Sequence, residues 1–252
     1  MHPDSFLFDK YAYIQPGTHL LSVNLEDDRL LRGFAEQAES LTVLHRERGI
    51  LRDLQKHFQR DTHITVSDAV FPESGSKFDA ALVSIPKGRS LARAFLVRTL
   101  QALNPGGIMF AAGANNGGAK TAFTDMNVIA QANTLGTKAR HRIFAVVCGD
   151  EMLSIPEDWG TPWEPYQMTI TVHERDYVLY TQPGIFSYEH LDLGTEFLLD
   201  NLDALDLPEH PRILDAGCGY GIVGMVAQQE LNPGKVVWAD SDLLAVRCTQ
   251  KT

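Results

Sequence analysis

Arg212-Ile213-Leu214-Asp215-Ala216-Gly217-Cys218-Gly219-Tyr220-Gly221 runs directly into Ile222-Val223-Gly224-Met225-Val226-Ala227. A short apolar run closing on an acid, three glycines at alternate positions and a second apolar run predict strand, tight turn and helix. Glycine suits the turn because it accepts positive φ and lets a ligand approach the backbone with no Cβ in the way. The helix that follows directs its unpaired N–H groups at whatever lies over the turn. About twenty residues on, the distance at which dinucleotide folds place their ribose-binding acid, Val236-Val237-Trp238-Ala239 ends on Asp240. A glycine turn with no ligand has no need of that second acid.

The glycine spacing separates two cofactor classes. Dinucleotide folds use G-x-G-x-x-G, with one glycine facing a pyrophosphate. Here the pattern is D-x-G-x-G-x-G. It resembles the first motif of class I S-adenosylmethionine-dependent methyltransferases. That resemblance implies Asp215 near the amino-acid end of S-adenosylmethionine, Gly217, Cys218, Gly219 and Gly221 beneath it, and Asp240 on its ribose.

The same alternation of strand and helix fills the first part of the chain. Strands are expected at Leu20–Leu25, Leu41–Leu44, Ile64–Val66, Phe78–Ile85, Ile108–Ala112 and Arg142–Cys148. Helices are expected at Arg29–Ala38, Gly49–Phe58, Leu91–Leu103 (with Ser90 as cap) and Lys120–Ala132, after an irregular start. Such an order indicates an α/β fold with a mainly parallel, doubly wound, Rossmann-like sheet. It is also the methyltransferase order. Yet the place of the glycine motif reads Ser22-Val23-Asn24-Leu25-Glu26-Asp27, and side chains there are expected to crowd the space a cofactor needs. After the fourth strand stands Ser84-Ile85-Pro86-Lys87, not the Asn/Asp-Pro-Pro-aromatic turn of amino-group methyltransferases. Residues 1–150 are therefore expected to be a degenerate methyltransferase-like domain, a scaffold or an RNA-recognition domain. Residues 151–165, with Trp159 and Trp163 among three prolines, are expected to be a linker. Residues 166–252 are expected to begin a second, cofactor-binding copy, opening with a hairpin of Met168–Val172 and Tyr177–Thr181.

Pro183-Gly184-Ile185-Phe186-Ser187, then Leu191-Asp192-Leu193-Gly194-Thr195 and a leucine-rich helix, precede the glycine motif. In this combination the chain resembles the ribosomal small-subunit RNA guanine-N2 methyltransferases, which pair a degenerate N-terminal domain with an active C-terminal one. The resemblance implies ribosomal RNA as partner and places Phe186, Ser187 and Asp192 against the cofactor. Read from the residues alone, Phe186 is equally a core side chain and Asp192 equally a helix-start carboxylate. The family's Asn/Asp-Pro-Pro-Phe turn does not follow Asp240, so no catalytic residue is nominated, and the chain is expected to be truncated inside its catalytic domain. Two other readings stay open: a non-catalytic RNA-binding or ribosome-assembly module, and a methyltransferase acting on a small molecule or a protein.

Composition narrows the rest. The 252 residues are 44% hydrophobic and 21% charged, as in globular domains. No apolar run approaches the roughly 20 residues that span a bilayer, so no membrane partner is expected. Cys148, Cys218 and Cys248 are odd in number and far apart, which suggests free thiols in a cytoplasmic setting and no metal site. The net charge of −10 sits in the second part: residues 151–252 carry 5 Lys+Arg against 17 Asp+Glu, residues 1–150 carry 17 against 15. That balance opposes non-specific nucleic-acid binding. The basic run His45, Arg46, Arg48, Arg52, Lys56, His57 and Arg60 reads better as a solvated helix face than as an RNA patch.

Overall fold

Two compact units, Met1–Trp163 and Glu164–Thr252, make up the chain in a computed structural model that describes residues 2–73, 75–151 and 153–252. Met1, Ser74 and Met152, the last within the expected linker, lie outside the described residues.

The first unit runs α1 (Pro3–Tyr11), β1 (His19–Val23), α2 (Asp28–Ala35), β2 (Ser40–Leu44), α3 (Arg48–Phe58) and β3 (Ile64–Ser67). It continues with β4 (Phe78–Ser84), α4 (Arg89–Gln101), β5 (Leu103–Ala114), α5 (Ala119–Ile129), β6 (Ala132–Lys138) and β7 (His141–Val147). The strands join in the order β3-β2-β1-β4-β5-β7-β6. β3, β2, β1, β4 and β5 pair in parallel, and β7 runs antiparallel to both β5 and β6.

Successive strand side chains point to opposite faces, and both faces are apolar, as a parallel sheet covered on two sides requires. Leu20, Leu41, Val43, Leu82, Phe110 and Ala112 share one core with Leu7 and Phe8 of α1, Leu31 and Phe34 of α2, and Leu54 of α3. The alternate residues Leu21, Val23, Ala81, Val83, Met109 and Ala111 are equally buried and belong to the face covered by α4 and α5. The doubly wound sheet expected from the sequence is therefore present. Its strand order reverses at β1, between β2 and β4, the point where folds of this kind bind ligands beyond the carboxyl ends of the strands.

Three local readings change. The start is helical: Pro3 stands at the head of α1, His2 accepts the Asp4 N–H at 3.3 Å, and Leu7 and Phe8 are buried. α4 begins after Gly88 (φ +96°), so Ser90 lies inside it, and Leu103 belongs to β5. Finally, α5 ends at Ile129, and Ala132 opens β6, a strand too polar to show an apolar run. β6 is an edge strand with one side in water, which is why its pattern is weak. Its Gly136 lies against the Tyr11 ring, and a Cβ there would overlap the ring.

The segment expected as a linker is tied to the first unit as far as Trp163. Trp159 is buried and lies 4.1 Å beneath the Arg93 guanidinium. Arg93 and Arg89 both grip Asp125 through paired bonds of 2.7–3.1 Å. Burial pushes the Asp125 carboxyl up, but the two guanidinium groups outweigh it and hold it below its ordinary value of 3.8. Its contribution is thus present above pH 3.8 and lost as pH falls through the lowered folded value. Asp125→Asn should cost about 3 kcal/mol at neutral pH by leaving Arg93 uncompensated, and should flatten the acid limb of urea midpoints measured against pH. An acid limb identical to that of the unsubstituted protein would refute this role.

Candidate functional site

The second unit contains a hairpin, β8 (Tyr166–Val172) and β9 (Arg175–Thr181), then α6 (Leu193–Leu199), β10 (Arg212–Ala216), α7 (Ile222–Glu230), β11 (Lys235–Ala239) and α8 (Leu243–Thr249). β10 and β11 pair in parallel, with Asp215 opposite Trp238 and Ala216 opposite Ala239. Both acids singled out in the sequence therefore stand at the carboxyl ends of adjacent parallel strands.

The glycine turn is held to the end of β11 by its backbone. The N–H groups of Gly217 and Cys218 both donate to the Ala239 carbonyl, at 2.7 and 3.1 Å. Gly219 N–H donates to Asp240 Oδ2 at 2.9 Å. The other Asp240 oxygen accepts the Asp242 N–H at 2.9 Å. Each carboxylate oxygen has a second lone pair, so Asp240 is fixed in direction yet still able to accept from a ribose diol.

Gly217, Gly219 and Gly221 all have positive φ, at +77°, +56° and +92°, but they differ in what surrounds them. A Cβ on Gly217 would meet nothing within 4 Å, and one on Gly219 only Ile185 Cγ2 at 3.7 Å. A Cβ on Gly221 would press on Thr249 Cγ2 at 3.1 Å, and one on Gly224 would overlap the Trp238 indole. Two glycines thus leave open space, while Gly221 lets the start of α7 approach α8 and Gly224 lets α7 approach Trp238 of β11. The sequence pattern did not separate these duties, and Gly224 drew no attention in it.

Asp215 is 9% exposed, and its Oδ2 accepts the Gly224 N–H at 2.9 Å, within the first turn of α7. Burial pushes its carboxyl above the ordinary range, the Gly224 N–H opposes this, and the Asp240 charge adds to it. One oxygen is thus spent on the helix. Cys218 turns its thiol inward, 3.6 Å from Thr249 Oγ1, and burial pushes that thiol up. Only its backbone can serve a ligand.

The segment from Pro183 to Asp192 lies beside the turn. Ile185 is the nearest neighbour above Gly219, and the Tyr220 hydroxyl donates to the His190 carbonyl at 3.3 Å. Burial, reinforced by the Asp192 charge, raises the Tyr220 hydroxyl to about 12. Phe186 is 72% exposed, so it is not a core residue. Ser187 adopts φ +51° and its carbonyl accepts the His190 N–H at 3.2 Å. Asp192 caps α6, accepting the N–H groups of Gly194 and Thr195 at 2.9 and 3.1 Å, so its helix-start reading holds. Ile185, Tyr220 and Thr249 support the turn and went unmarked in the sequence; only their spacing around the motif could have suggested them.

Three basic groups of α3 pair with acids in the first unit. Arg48 meets Asp68 at 2.6 Å, Lys56 meets Asp53 at 3.6 Å and His57 meets Asp28 at 3.3 Å. Among the described residues no helix is long and apolar enough to cross a membrane, and no cluster of His, Cys, Asp and Glu could hold a metal ion.

The family model described as "Methyltransferase small domain N-terminal" matches residues 10–154, and the one described as "Methyltransferase small domain" matches residues 176–252. A ribosomal RNA small subunit methyltransferase C from Pseudoalteromonas atlantica is 32% identical over 181 residues, 71% of this chain and 51% of that protein. One from Pseudomonas putida is 26% identical over 253 residues, 100% of this chain and 70% of that protein. The T. thermophilus 16S rRNA N2 methyltransferase, solved with AdoMet and guanosine, superposes with a TM-score of 0.78 at 22% identity. That match covers 99% of this chain and 65% of the solved one. At that identity the likeness speaks for the fold. The chain spans about half the length of the first curated relatives it matches.

Proposed function

Because the chain belongs to the methyltransferase small-domain family, we propose that its second unit binds S-adenosylmethionine and that the protein serves guanine-N2 methylation of small-subunit ribosomal RNA in the cytoplasm. The observation that carries the cofactor half is the Gly219 N–H to Asp240 bond, at 2.9 Å. It locks an open glycine turn to a strand-end acid, and the space over Gly217 and Gly219 would be lost to any Cβ. In this reading Asp240 holds the ribose. The free oxygen of Asp215 faces the amino-acid end, and the turn underlies the cofactor. Phe186, Ser187 and Asp192 line the neighbouring wall, with exposed Phe186 free to cover the cofactor. When bound, S-adenosylmethionine supplies an electrophilic methyl. What this chain's residues contribute is the fixed seat, since alignment with the attacking nitrogen supplies much of the rate. The first unit, in which Arg48, Lys56 and His57 of the basic helix face pair with acids, acts as a scaffold.

The substrate half is tested in the host. Deleting the gene should remove N2-methylguanosine from hydrolysed small-subunit ribosomal RNA, read by mass spectrometry. The native gene should restore it, and an Asp240→Ala copy should not. Unchanged N2-methylguanosine in the deletion strain would contradict the RNA assignment.

A further inference from the structure

The first unit repeats the site geometry of the second with different residues. Asn24 follows β1 as Gly217 follows β10, both in the left-handed region at φ +58° and +77°. Each donates its N–H to the last carbonyl of the adjacent strand, Asn24 to Leu44 at 2.9 Å and Gly217 to Ala239 at 2.7 Å. His45 follows β2 where Asp240 follows β11. Over this turn the side chains do not fill the space, contrary to the expectation from the glycine-free sequence. A cleft of about 730 Å³ opens there, within the size range of ligand sites.

The polar groups in the cleft define what it can take. His45 is 6% exposed, and its Nδ1 accepts the Glu47 N–H at 2.9 Å. The ring proton therefore sits on Nε2, the atom left to serve a ligand. Asn24 Oδ1 accepts the Arg46 N–H at 3.4 Å, while its buried Nδ2 has no partner. One buried donor, Asn24 Nδ2, thus waits for an acceptor, and such a donor is costly to leave unmet. The rim is acidic on balance: Asp9 and Glu26 stand exposed beside the cleft, with Asp27 and Asp28 near them and the exposed Arg29 set against these four acids. The N-terminus of α2, where a phosphate or carboxylate would dock, is already taken by Asp27, which accepts the Leu30 N–H at 3.1 Å. Phe8, Leu25 and Ile50 supply apolar walls.

We propose that this cleft is a second ligand site, separate from the cofactor seat, and that it takes an uncharged nucleoside. The acceptor edge of the base meets His45 Nε2–H and the Asn24 amide, and ribose hydroxyls donate to Glu26 and Asp9. A 5′-phosphate or an amino-acid carboxylate is excluded by Asp27 and the acidic rim.

The test uses the full chain and follows the His45 ring signal by NMR, identified by its loss in His45→Phe. Reading that one ring keeps binding in the second unit out of the measurement. Adenosine or guanosine at millimolar concentration should move the signal saturably, and the matching 5′-monophosphate should bind at least about tenfold more weakly, since like charges oppose it. Asn24→Asp keeps a residue that tolerates positive φ but turns a donor into an acceptor, and should weaken the nucleoside by about tenfold. A silent His45 signal, equal affinity for nucleoside and monophosphate, or unaltered binding by Asn24→Asp would each overturn the proposal. The nucleoside and monophosphate comparison needs no variant.

Discussion

Gly219→Val should lower affinity for S-adenosylhomocysteine by about a hundredfold or more, while Cys218→Ala leaves it within about twofold. Gly219 has φ +56°, a conformation that costs a β-branched residue on the order of 1–3 kcal/mol. Relief of that strain must swing the peptide and break the 2.9 Å bond from Gly219 N–H to Asp240. Staying in place instead puts two methyl groups into the space above the turn, where Ile185 Cγ2 already stands 3.7 Å from a Cβ position. Both routes damage the seat. Cys218 contributes only its N–H, bonded to the Ala239 carbonyl at 3.1 Å, and alanine keeps it. Calorimetric titration of the two variants reads the difference. Equal losses would mean that the loop has been wrongly assigned.

Acid should cost the first unit about 3 kcal/mol through a single histidine. Burial lowers His45 from 6.5 to about 4, against the attraction of Glu26. Unfolded His45 takes up a proton as pH falls below 6.5, whereas the folded ring resists until about 4. The unfolded state therefore binds more protons across that window, and stability falls with pH. The contribution is whole above 6.5 and lost as pH drops through about 4. Urea midpoints at pH 7 and 4.5, followed by Trp159 and Trp163 fluorescence, should separate widely in the unsubstituted protein and much less in His45→Phe. Equal separation in both would remove His45 as the cause.

The elements that could be read from the sequence are those whose burial imposes a pattern. Apolar runs such as Ala80–Val83 belong to strands covered on both faces, and their short length before the break at Pro86 separates them from buried helices. The glycine turn and its acids were legible because positive φ and strand-end carboxylates leave few alternatives. α1 was missed because Phe6-Leu7-Phe8 is a contiguous apolar run with no helical period, and β6 because an edge strand can afford polar residues. The different duties of Gly217, Gly219, Gly221 and Gly224 follow from neighbours such as Trp238 and Thr249, far enough along the chain that spacing says nothing about contact. The cleft over Asn24 was hidden for the same reason. A glycine-free turn looked crowded, but Asn24 takes the left-handed conformation itself, and the chain still turns clear of the space.

The central claim is that the second unit, and not the first, seats the cofactor. Ultraviolet crosslinking of the full chain with methyl-tritiated S-adenosylmethionine, followed by peptide mapping, tests it most directly. The label should fall on peptides carrying residues 183–192 or 215–240, and Gly219→Val should abolish it. Label confined to residues 1–163, or label that survives Gly219→Val undiminished, would contradict the assignment.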